Sequence, residues 1–304
     1  MSYLGIDVGG TKVALRLKSG TGGDGATVED TFRWTAACDA AGDLELLAER
    51  VQVLLRHRPA PLSGVGVAMP AICDANGTVR AWPGRPSWVG LDLEAALARI
   101  FPDTPVARAD DGDLAALAES REAGCPDLMY LGVGTGIGGG VVFEGRFWPG
   151  PARGSCELGH LVVDGNGARC DCGRRGCVQA VASGPATLRR AAGLRGREVA
   201  FAELVEGARA SAFWARAAID ESAAALARAV IGVGELAQLD LALVGGGFAA
   251  GVPGLVESVA AQVEELARPG SRRIRVRPAA LGGRSSLYGA VLLAEETFGP
   301  VPAG

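Results

Sequence analysis

Two glycine-rich turns, each placed between two short apolar runs, constrain the fold of this chain more than any other feature. The first is "GIDVGGTK" at residues 5–12, and the second is "GVGTGIGGG" at residues 132–140. Each turn leads from one strand-like run into another, from residues 3–8 into 13–18 and from 128–133 into 139–143. This predicts a β-hairpin and not the strand-to-helix turn of a dinucleotide-binding fold. A further glycine-rich turn is expected at residues 20–25. Because the pattern occurs once in each half, we expect a duplicated α/β core with two lobes and a central cleft.

Glycine turns let backbone N–H groups approach an anion closely, because no side chain stands in the way. A third cluster, at Gly245–Gly247, opens a helix that is predicted to run to about Leu266. This cluster makes a phosphate-binding cleft a better interpretation than three plain turns. Neither hairpin turn is a Walker loop, because Gly-x4-Gly-Lys-Ser/Thr is absent. We predict a magnesium-side carboxylate at Asp7. The predicted phosphate-binding residues are Gly9, Gly10, Thr11, Lys12, Gly134, Thr135, Gly136, Gly245, Gly246 and Gly247.

Composition excludes several classes of function. The 304 residues suffice for one large domain or two ordinary ones, and strands that alternate with helices indicate an α/β protein. A net charge of -4 gives no general attraction to nucleic acid or to an anionic membrane. No apolar run approaches the roughly 20 residues of a membrane span, and the first residues do not resemble a signal peptide. We therefore expect a cytoplasmic protein.

Residues 145–176 are predicted to lack regular structure. A cysteine cluster stands at the end of this region, in the segment "HLVVDGNGARCDCGRRGC". It supplies one imidazole and three thiols within eighteen residues, a set that suits a closed, structural Zn²⁺ site. The alternative is a group of reduced, buried thiols. Seven cysteines in a chain without an export signal do not predict a disulfide framework. The predicted metal ligands are His160, Cys170, Cys172 and Cys177.

Three aspartates crowd the start of a predicted helix in "RADDGDLAALAE", residues 108–119. Like charges this close repel, so Asp110, Asp111 and Asp113 require an explanation. Helix capping and the helix dipole favour carboxylates here. One aspartate can instead be a catalytic base, and another can recognise a positive charge on a ligand.

These motifs together resemble the ROK family of bacterial sugar kinases and repressors over nearly the whole chain. The resemblance also includes "GVAMPAICDANGTV", "ELGH", "CDCGRRGC" and "LVGGGFA". It implies an actin-like, ribonuclease-H-like ATPase fold, with ATP, Mg²⁺ and a sugar bound between two lobes, and a homodimer. We expect one lobe at residues 1–110, with a C-terminal helix at 284–298 that packs back on it. The other lobe, at 111–283, holds the structural zinc.

The resemblance also assigns roles to individual residues. It makes Asp111 the general base for a sugar hydroxyl, usually the 6-hydroxyl, which attacks the γ-phosphate of ATP. Glu157 contacts sugar hydroxyls, and His160 reaches the sugar while it binds zinc. Two positions depart from the family pattern: Asp110 replaces an asparagine near the 3- and 4-hydroxyls, and Gln179 replaces a glutamate near the anomeric end.

The exchange at Asp110 suggests a hypothesis about the substrate. An ionised carboxylate only accepts hydrogen bonds, so the ligand group that faces it must donate, and an ammonium group donates best. We therefore expect a 3-amino sugar, with kanosamine (3-amino-3-deoxy-D-glucose) the leading candidate, as in similar ROK kinases of antibiotic biosynthesis. Plain helix capping explains the same aspartate equally well, and a hydroxyl group also donates.

Other functions compete with this hypothesis. A glucokinase or an N-acetylhexosamine kinase shares the mechanism, and a C7-cyclitol kinase explains the missing glutamate but not Asp110. A ROK repressor needs a helix-turn-helix before the first glycine turn, which begins here at Gly5. A catalytically inactive sugar-binding protein conflicts with the presence of Asp7, Asp111 and Glu157.

Overall fold

The computed structural model describes residues 1–20, 26–35, 39–57, 60–82, 84–150 and 153–300. The strands in these ranges are β1 (Ser2–Val8), β2 (Lys12–Ser19), β3 (Ala26–Arg33), β4 (Leu62–Ala68), β5 (Ile72–Cys73), β6 (Val79–Ala81), β7 (Val106–Ala109), β8 (Leu128–Val133), β9 (Ile137–Phe143), β10 (Arg146–Trp148), β11 (Leu241–Gly245) and β12 (Arg275–Pro278). The α-helices are α1 (Ala40–Leu55), α2 (Leu93–Ile100), α3 (Asp111–Ala123), α4 (Val178–Ala182), α5 (Gly184–Arg195), α6 (Phe201–Arg209), α7 (Phe213–Ala237), α8 (Gly246–Gly251), α9 (Leu255–Leu266) and α10 (Ser285–Phe298).

The chain divides into two compact units. Unit 1 comprises Met1–Ala118 together with Arg284–Gly304, and unit 2 comprises Glu119–Gly283. The boundary therefore falls within α3. Among the described residues, no helix is both long enough and apolar enough to cross a bilayer.

Unit 1 contains a five-stranded sheet in the order β3-β2-β1-β4-β7. The strands β3, β2 and β1 pair with one another antiparallel, and β4 and β7 continue the sheet in parallel with β1. Helix α10 packs closely on this sheet. A Cβ atom at Gly66 would lie 1.9 Å from the carbonyl oxygen of Ala290, so only glycine permits this approach.

Unit 2 repeats this arrangement with a sheet in the order β10-β9-β8-β11-β12. Its first three strands are again antiparallel, and β11 and β12 are parallel to β8. The same strand order and the same directions in both units confirm the predicted duplicated core and the α/β class. In both sheets the hairpin at the centre carries a predicted phosphate turn.

Most of the predicted elements are present, with two corrections. The prediction of one helix from the third glycine cluster to Leu266 is wrong, because Pro253 and a left-handed Gly254 (φ 81°) separate α8 from α9. The prediction that residues 145–176 lack regular structure is wrong at β10, which pairs with β9. The predicted turn over residues 20–25 lies largely outside the described residues.

Candidate active site and metal centre

The first glycine turn connects β1 to β2 in unit 1. The N–H of Gly9 donates to the carbonyl of Lys12 at 2.9 Å and closes the hairpin. A Cβ atom on Gly10 would lie 2.8 Å from the Cα atom of Gly84, so the second glycine of the turn has no room for a side chain. Thr11 and Lys12 are exposed. The turn therefore presents backbone and two polar side chains, as a phosphate-binding segment requires.

Asp7 and Asp111 lie at the same end of the unit 1 sheet, where the parallel strands β1, β4 and β7 finish. Asp7 pairs with Ala68, and Ala68 pairs with Ala109, the last residue before the aspartate pair. Burial raises the pKa of Asp7 to about 6, although Lys12 opposes this shift. Burial, followed by the charges of Asp110 and Asp7, raises the pKa of Asp111 to about 7. A carboxyl group with a pKa near neutrality suits general base catalysis.

Asp110 caps helix α3. Its Oδ1 accepts a hydrogen bond from the N–H of Gly112 at 2.9 Å. Asp113 is buried in the first turn of the same helix. The structure therefore confirms that Asp110 caps α3. The capping hydrogen bond does not require the charge, because asparagine is an equally good capping residue. The helix dipole favours the charge by about 0.3–1 kcal/mol.

The second glycine turn lies between β8 and β9 in unit 2 and is held at both ends. The N–H of Gly184, at the start of α5, donates to the carbonyl of Gly134 at 2.8 Å. At the other end, the side-chain oxygen of Gln179 accepts from the N–H of Ile137 at 3.0 Å. A Cβ atom on Gly136 would lie 2.8 Å from this oxygen. Thr135 at the tip is exposed.

The third glycine cluster lies beside the second turn. It begins at the last residue of β11, which is parallel to β8, and Gly245 pairs with Gly132. Gly246 has a positive φ of 85°, and a Cβ atom there would lie 2.5 Å from the carbonyl oxygen of Val133. Gly247 is exposed at the start of α8. The fold therefore brings two of the three predicted phosphate segments together in unit 2.

Glu157 is one of four described non-glycine residues with a positive φ. Its backbone is left-handed (φ 50°, ψ 44°), and the residue is exposed. This conformation costs an L-residue roughly 1–2 kcal/mol, and glycine would adopt it without strain. A glutamate in this place is therefore consistent with a functional carboxylate.

The four predicted zinc ligands come together in unit 2. Their ligand atoms all lie within 4.8 Å of one another. The Nδ1 of His160 lies 3.5 Å from the Sγ of Cys170, and the sulfurs of Cys172 and Cys177 are 3.6 Å apart. These separations match the edges of a tetrahedron around Zn²⁺ with bonds of about 2.0–2.3 Å and are far too long for a disulfide. The donor set therefore fits a structural zinc ion.

The predicted residues are divided between the two units. Unit 1 holds Asp7, the first turn and the aspartate pair, and unit 2 holds the other two glycine segments, Glu157, Gln179 and the zinc ligands. Sequence reasoning did not find Trp34, Asp43 and Arg85, which contact the first turn or one another. The available signal was an arginine between two tryptophans in "WPGRPSW", residues 82–88.

Comparison with known proteins decides the family. The family model described as "ROK family" matches residues 3–297. The chain belongs to the ROK family. A curated relative, the kanosamine kinase of Amycolatopsis mediterranei, is 54% identical over 293 residues, which cover 96% of this chain and 95% of the relative. An N-acetylmannosamine kinase of Vibrio vulnificus is 31% identical and aligns over 98% of this chain and 99% of its own length.

Solved ROK structures confirm the expected actin-like, ribonuclease-H-like fold. The crystal structure of a ROK hexokinase from Thermus thermophilus superposes with a TM-score of 0.86 at 29% identity. The match covers 97% of this chain and 98% of that structure. The family assignment made from the glycine turns and the cysteine cluster is therefore confirmed.

Proposed function

We propose that this ROK protein is an ATP-dependent sugar kinase that phosphorylates the 6-hydroxyl of an amino sugar, with kanosamine the preferred substrate. The observation that carries the proposal is the charged Asp110 directly before Asp111. Similarity to a kanosamine kinase over almost the whole chain supports the same substrate.

The charge of Asp110 is the informative property, because capping alone does not require it. Asparagine would cap α3 as well and would not raise the pKa of Asp111. A substrate ammonium group would stabilise a carboxylate at position 110 through a charge-assisted hydrogen bond. Such a bond contributes roughly 1.5–3 kcal/mol, which corresponds to a ten- to hundredfold preference over a neutral group.

In the proposed reaction, Asp111 accepts the proton of the sugar hydroxyl as the hydroxyl oxygen forms a bond to the γ-phosphorus of ATP. The bond between that phosphorus and the β–γ bridging oxygen breaks, and ADP leaves with the electron pair. Positioning and charge stabilisation dominate such transfers. Asp7, beside the first glycine turn, would hold the Mg²⁺ ion that accompanies ATP. The three glycine segments would bind the nucleotide.

Residues of unit 2 would bind the sugar. Glu157 would accept hydrogen bonds from its hydroxyls. His160 faces the cysteine cluster through Nδ1, so zinc binding there leaves Nε2 for the substrate. Gln179 lies in the first turn of α4, two residues after the last zinc ligand, so the metal would also fix the position of this helix.

The proposal also covers cellular location and oligomeric state. Thiolate zinc ligands persist in a reducing compartment, which favours the cytoplasm. A homodimer remains a prediction from family resemblance, and light scattering of the purified protein measures it directly.

The test compares kcat/KM for kanosamine and for glucose in the wild type and in Asp110→Asn. Asparagine keeps the cap of α3 and removes the charge. We expect the wild type to prefer kanosamine by about ten- to hundredfold and the variant to lose most of this preference. Asp92→Asn is the matched control, because Asp92 caps α2 through the N–H of Ala95 in the same unit. An unchanged ratio in Asp110→Asn would contradict charge recognition.

A neutral sugar is the second candidate substrate, because a relative of this chain is a kinase for a different sugar. The N-acetylmannosamine kinase relative aligns over its full length. An ATP-coupled screen of glucose, N-acetylmannosamine and C7 cyclitols separates these possibilities from kanosamine. A higher kcat/KM for any of them would replace kanosamine as the substrate and keep the kinase mechanism.

A further inference from the structure

We propose that Trp34 and the Asp43–Arg85 ion pair are positioning residues that hold the first glycine turn in the shape that receives the phosphates of the donor. The proposal rests on the function proposed above, because it takes Gly9 and Gly10 as part of the phosphate site. None of the three side chains belongs to the predicted catalytic or binding set. They act through the backbone of the turn.

Trp34 bonds to the turn at two points. Its indole N–H donates to the carbonyl oxygen of Gly9 at 2.8 Å. Its backbone N–H donates to the carbonyl oxygen of Thr11 at 3.2 Å. The two acceptors belong to the Gly9–Gly10 and the Thr11–Lys12 peptide groups, so one residue fixes the backbone before and after Gly10. Trp34 is only 7% exposed, so water does not readily replace these bonds.

Arg85 fixes the indole of Trp34 in turn. Its guanidinium carbon lies 5.1 Å from the centre of the Trp34 ring, within the range of a cation–π contact. The Nε of Arg85 donates to Asp43 at 2.7 Å, and its Nη2 bonds to the other carboxylate oxygen. A bidentate pair of this kind sets both the position and the plane of the guanidinium group.

Asp43 is the buried end of this network. Its side chain is 0% exposed, and it also accepts a hydrogen bond from the indole N–H of Trp88 at 2.8 Å. A buried carboxylate with several donors is costly to disrupt, because the loss of one partner leaves charge uncompensated. The carboxylate of Asp43 therefore holds Arg85 and Trp88 in place, because any other arrangement would leave a buried charge without donors.

The network also reaches the turn along the backbone. Gly84 directly precedes Arg85 and lies so close to Gly10 that a Cβ atom on Gly10 would be 2.8 Å from the Cα atom of Gly84. The position of Arg85 thus bears on the turn through the ring of Trp34 and through Gly84. A change at Asp43 would therefore reach the phosphate turn indirectly, through Arg85 and its neighbours Trp34 and Gly84.

Unit 1 contains a similar pair that serves as a matched control. Arg50 bonds to both oxygens of Asp30 at 2.9 and 2.7 Å, and its guanidinium carbon lies 5.6 Å from the centre of the Phe32 ring. This pair has the same chemistry and stacks on an aromatic ring, but its partners are more exposed. Phe32 touches the ring of Trp34 only edge-on, with ring centres 5.5 Å apart. Asp30→Asn therefore tests the loss of an ion pair that, among the described residues, makes no hydrogen bond to the turn.

The experiment uses the full chain with Trp34→Phe, Asp43→Asn and Asp30→Asn. Phenylalanine removes the indole N–H and keeps a ring beneath Arg85. Hydrogen exchange of the peptide that contains Gly9 and Gly10 is measured in the ligand-free protein, and KM is measured for ATP and for the sugar. In the first two variants we expect faster turn exchange and a KM for ATP raised about five- to tenfold. The KM for the sugar should change less than about twofold, and Asp30→Asn should match the wild type in both measurements.

Three outcomes are decisive. A Trp34→Phe variant with normal turn exchange and a normal KM for ATP would overturn the proposal, even if its melting temperature fell. If Asp43→Asn fails to fold, Trp34→Phe decides alone. If the wild type uses a phosphate donor other than ATP, the nucleotide part of the proposed function is wrong. The KM for that donor in Trp34→Phe then supports or overturns the positioning role by the same comparison.

Discussion

The side-chain oxygen of Gln179 accepts a hydrogen bond from the backbone N–H of Ile137 at 3.0 Å. This bond uses the acceptor end of the amide, so the Nε2 group is left to act as a donor toward other partners. A glutamate in this place would bond to Ile137 equally well and present a second acceptor. A glutamine where the family pattern has glutamate therefore offers a ligand a hydrogen-bond donor in place of an acceptor. The hydrogen bond that supports the turn is the same with either residue.

The first prediction separates these two roles. Gln179→Leu removes the acceptor of a buried N–H, and we expect the free energy of unfolding to fall by about 1–3 kcal/mol. Gln179→Glu keeps an acceptor, and its free energy of unfolding should lie within about 1 kcal/mol of the wild type. Urea denaturation measures both values, with Gln52→Leu on the exposed face of α1 as the control. A Gln179→Leu variant as stable as the wild type would show that the bond contributes nothing.

The second prediction concerns the left-handed backbone of Glu157. Glycine adopts this conformation without strain, so Glu157→Gly should fold with equal or slightly higher stability. Loss of the proposed sugar contact should lower kcat/KM about ten- to hundredfold. Glu144→Gly is the matched control, because Glu144 also has a φ near 50° (49°) and is exposed in a hairpin turn. If the two variants had equal activity, Glu157 would have no role in the reaction.

The sequence predicted those parts of the fold that depend on local patterns. Apolar runs beside glycine turns located β1, β2, β8 and β9 to within two residues. The cysteine spacing located four side chains that the fold brings together as a candidate metal site. The break between α8 and α9 was missed, because a single Pro-Gly pair outweighed the helical spacing on either side.

Contacts between distant residues were not predictable in the same way. The hydrogen bond between Ile137 and Gln179 joins residues 42 positions apart, and so does the ion pair between Asp43 and Arg85. Side-chain type and spacing do not determine which distant backbone group a side chain will meet. These contacts depend on how the sheets and helices pack, and only the structure reveals them.

The third prediction tests the metal centre. Cys172→Ser should lose zinc and lower the melting temperature, because thiolate ligands bind Zn²⁺ strongly and the binding free energy of a structural zinc ion adds to the stability of the fold. Metal content by mass spectrometry and thermal unfolding are the measurements. Cys125→Ser, which lies outside the cluster, should keep the zinc content of the wild type. Full zinc occupancy in Cys172→Ser would remove Cys172 from the ligand set.

The fourth prediction is a shift in the pH dependence of activity. Asp111 must be ionised to accept a proton, so kcat/KM should fall below a pH of about 7. The charge of Asp110 opposes this ionisation, so Asp110→Asn should lower the pKa of Asp111 and move the acid limb to lower pH. Glucose is the suitable substrate because it has no titrating amine. Asp103→Asn, an exposed carboxylate in the same unit, should leave the limb in place. A limb that moved to higher pH in Asp110→Asn would contradict the assignment.

The fifth prediction separates catalysis by Asp111 from its effect on stability. Asp111→Asn should lower kcat about a hundred- to ten-thousandfold. Its folded-state pKa is raised from 3.8 to about 7, so between these values the folded protein keeps a proton that the unfolded chain releases. The stability of the ligand-free wild type should therefore decline as pH rises through this window, and the decline should be smaller in Asp111→Asn. Above pH 7 the variant should be at least as stable as the wild type. Denaturant titrations across this range measure the difference, and a variant less stable above pH 7 would show that the ionised carboxylate stabilises the fold.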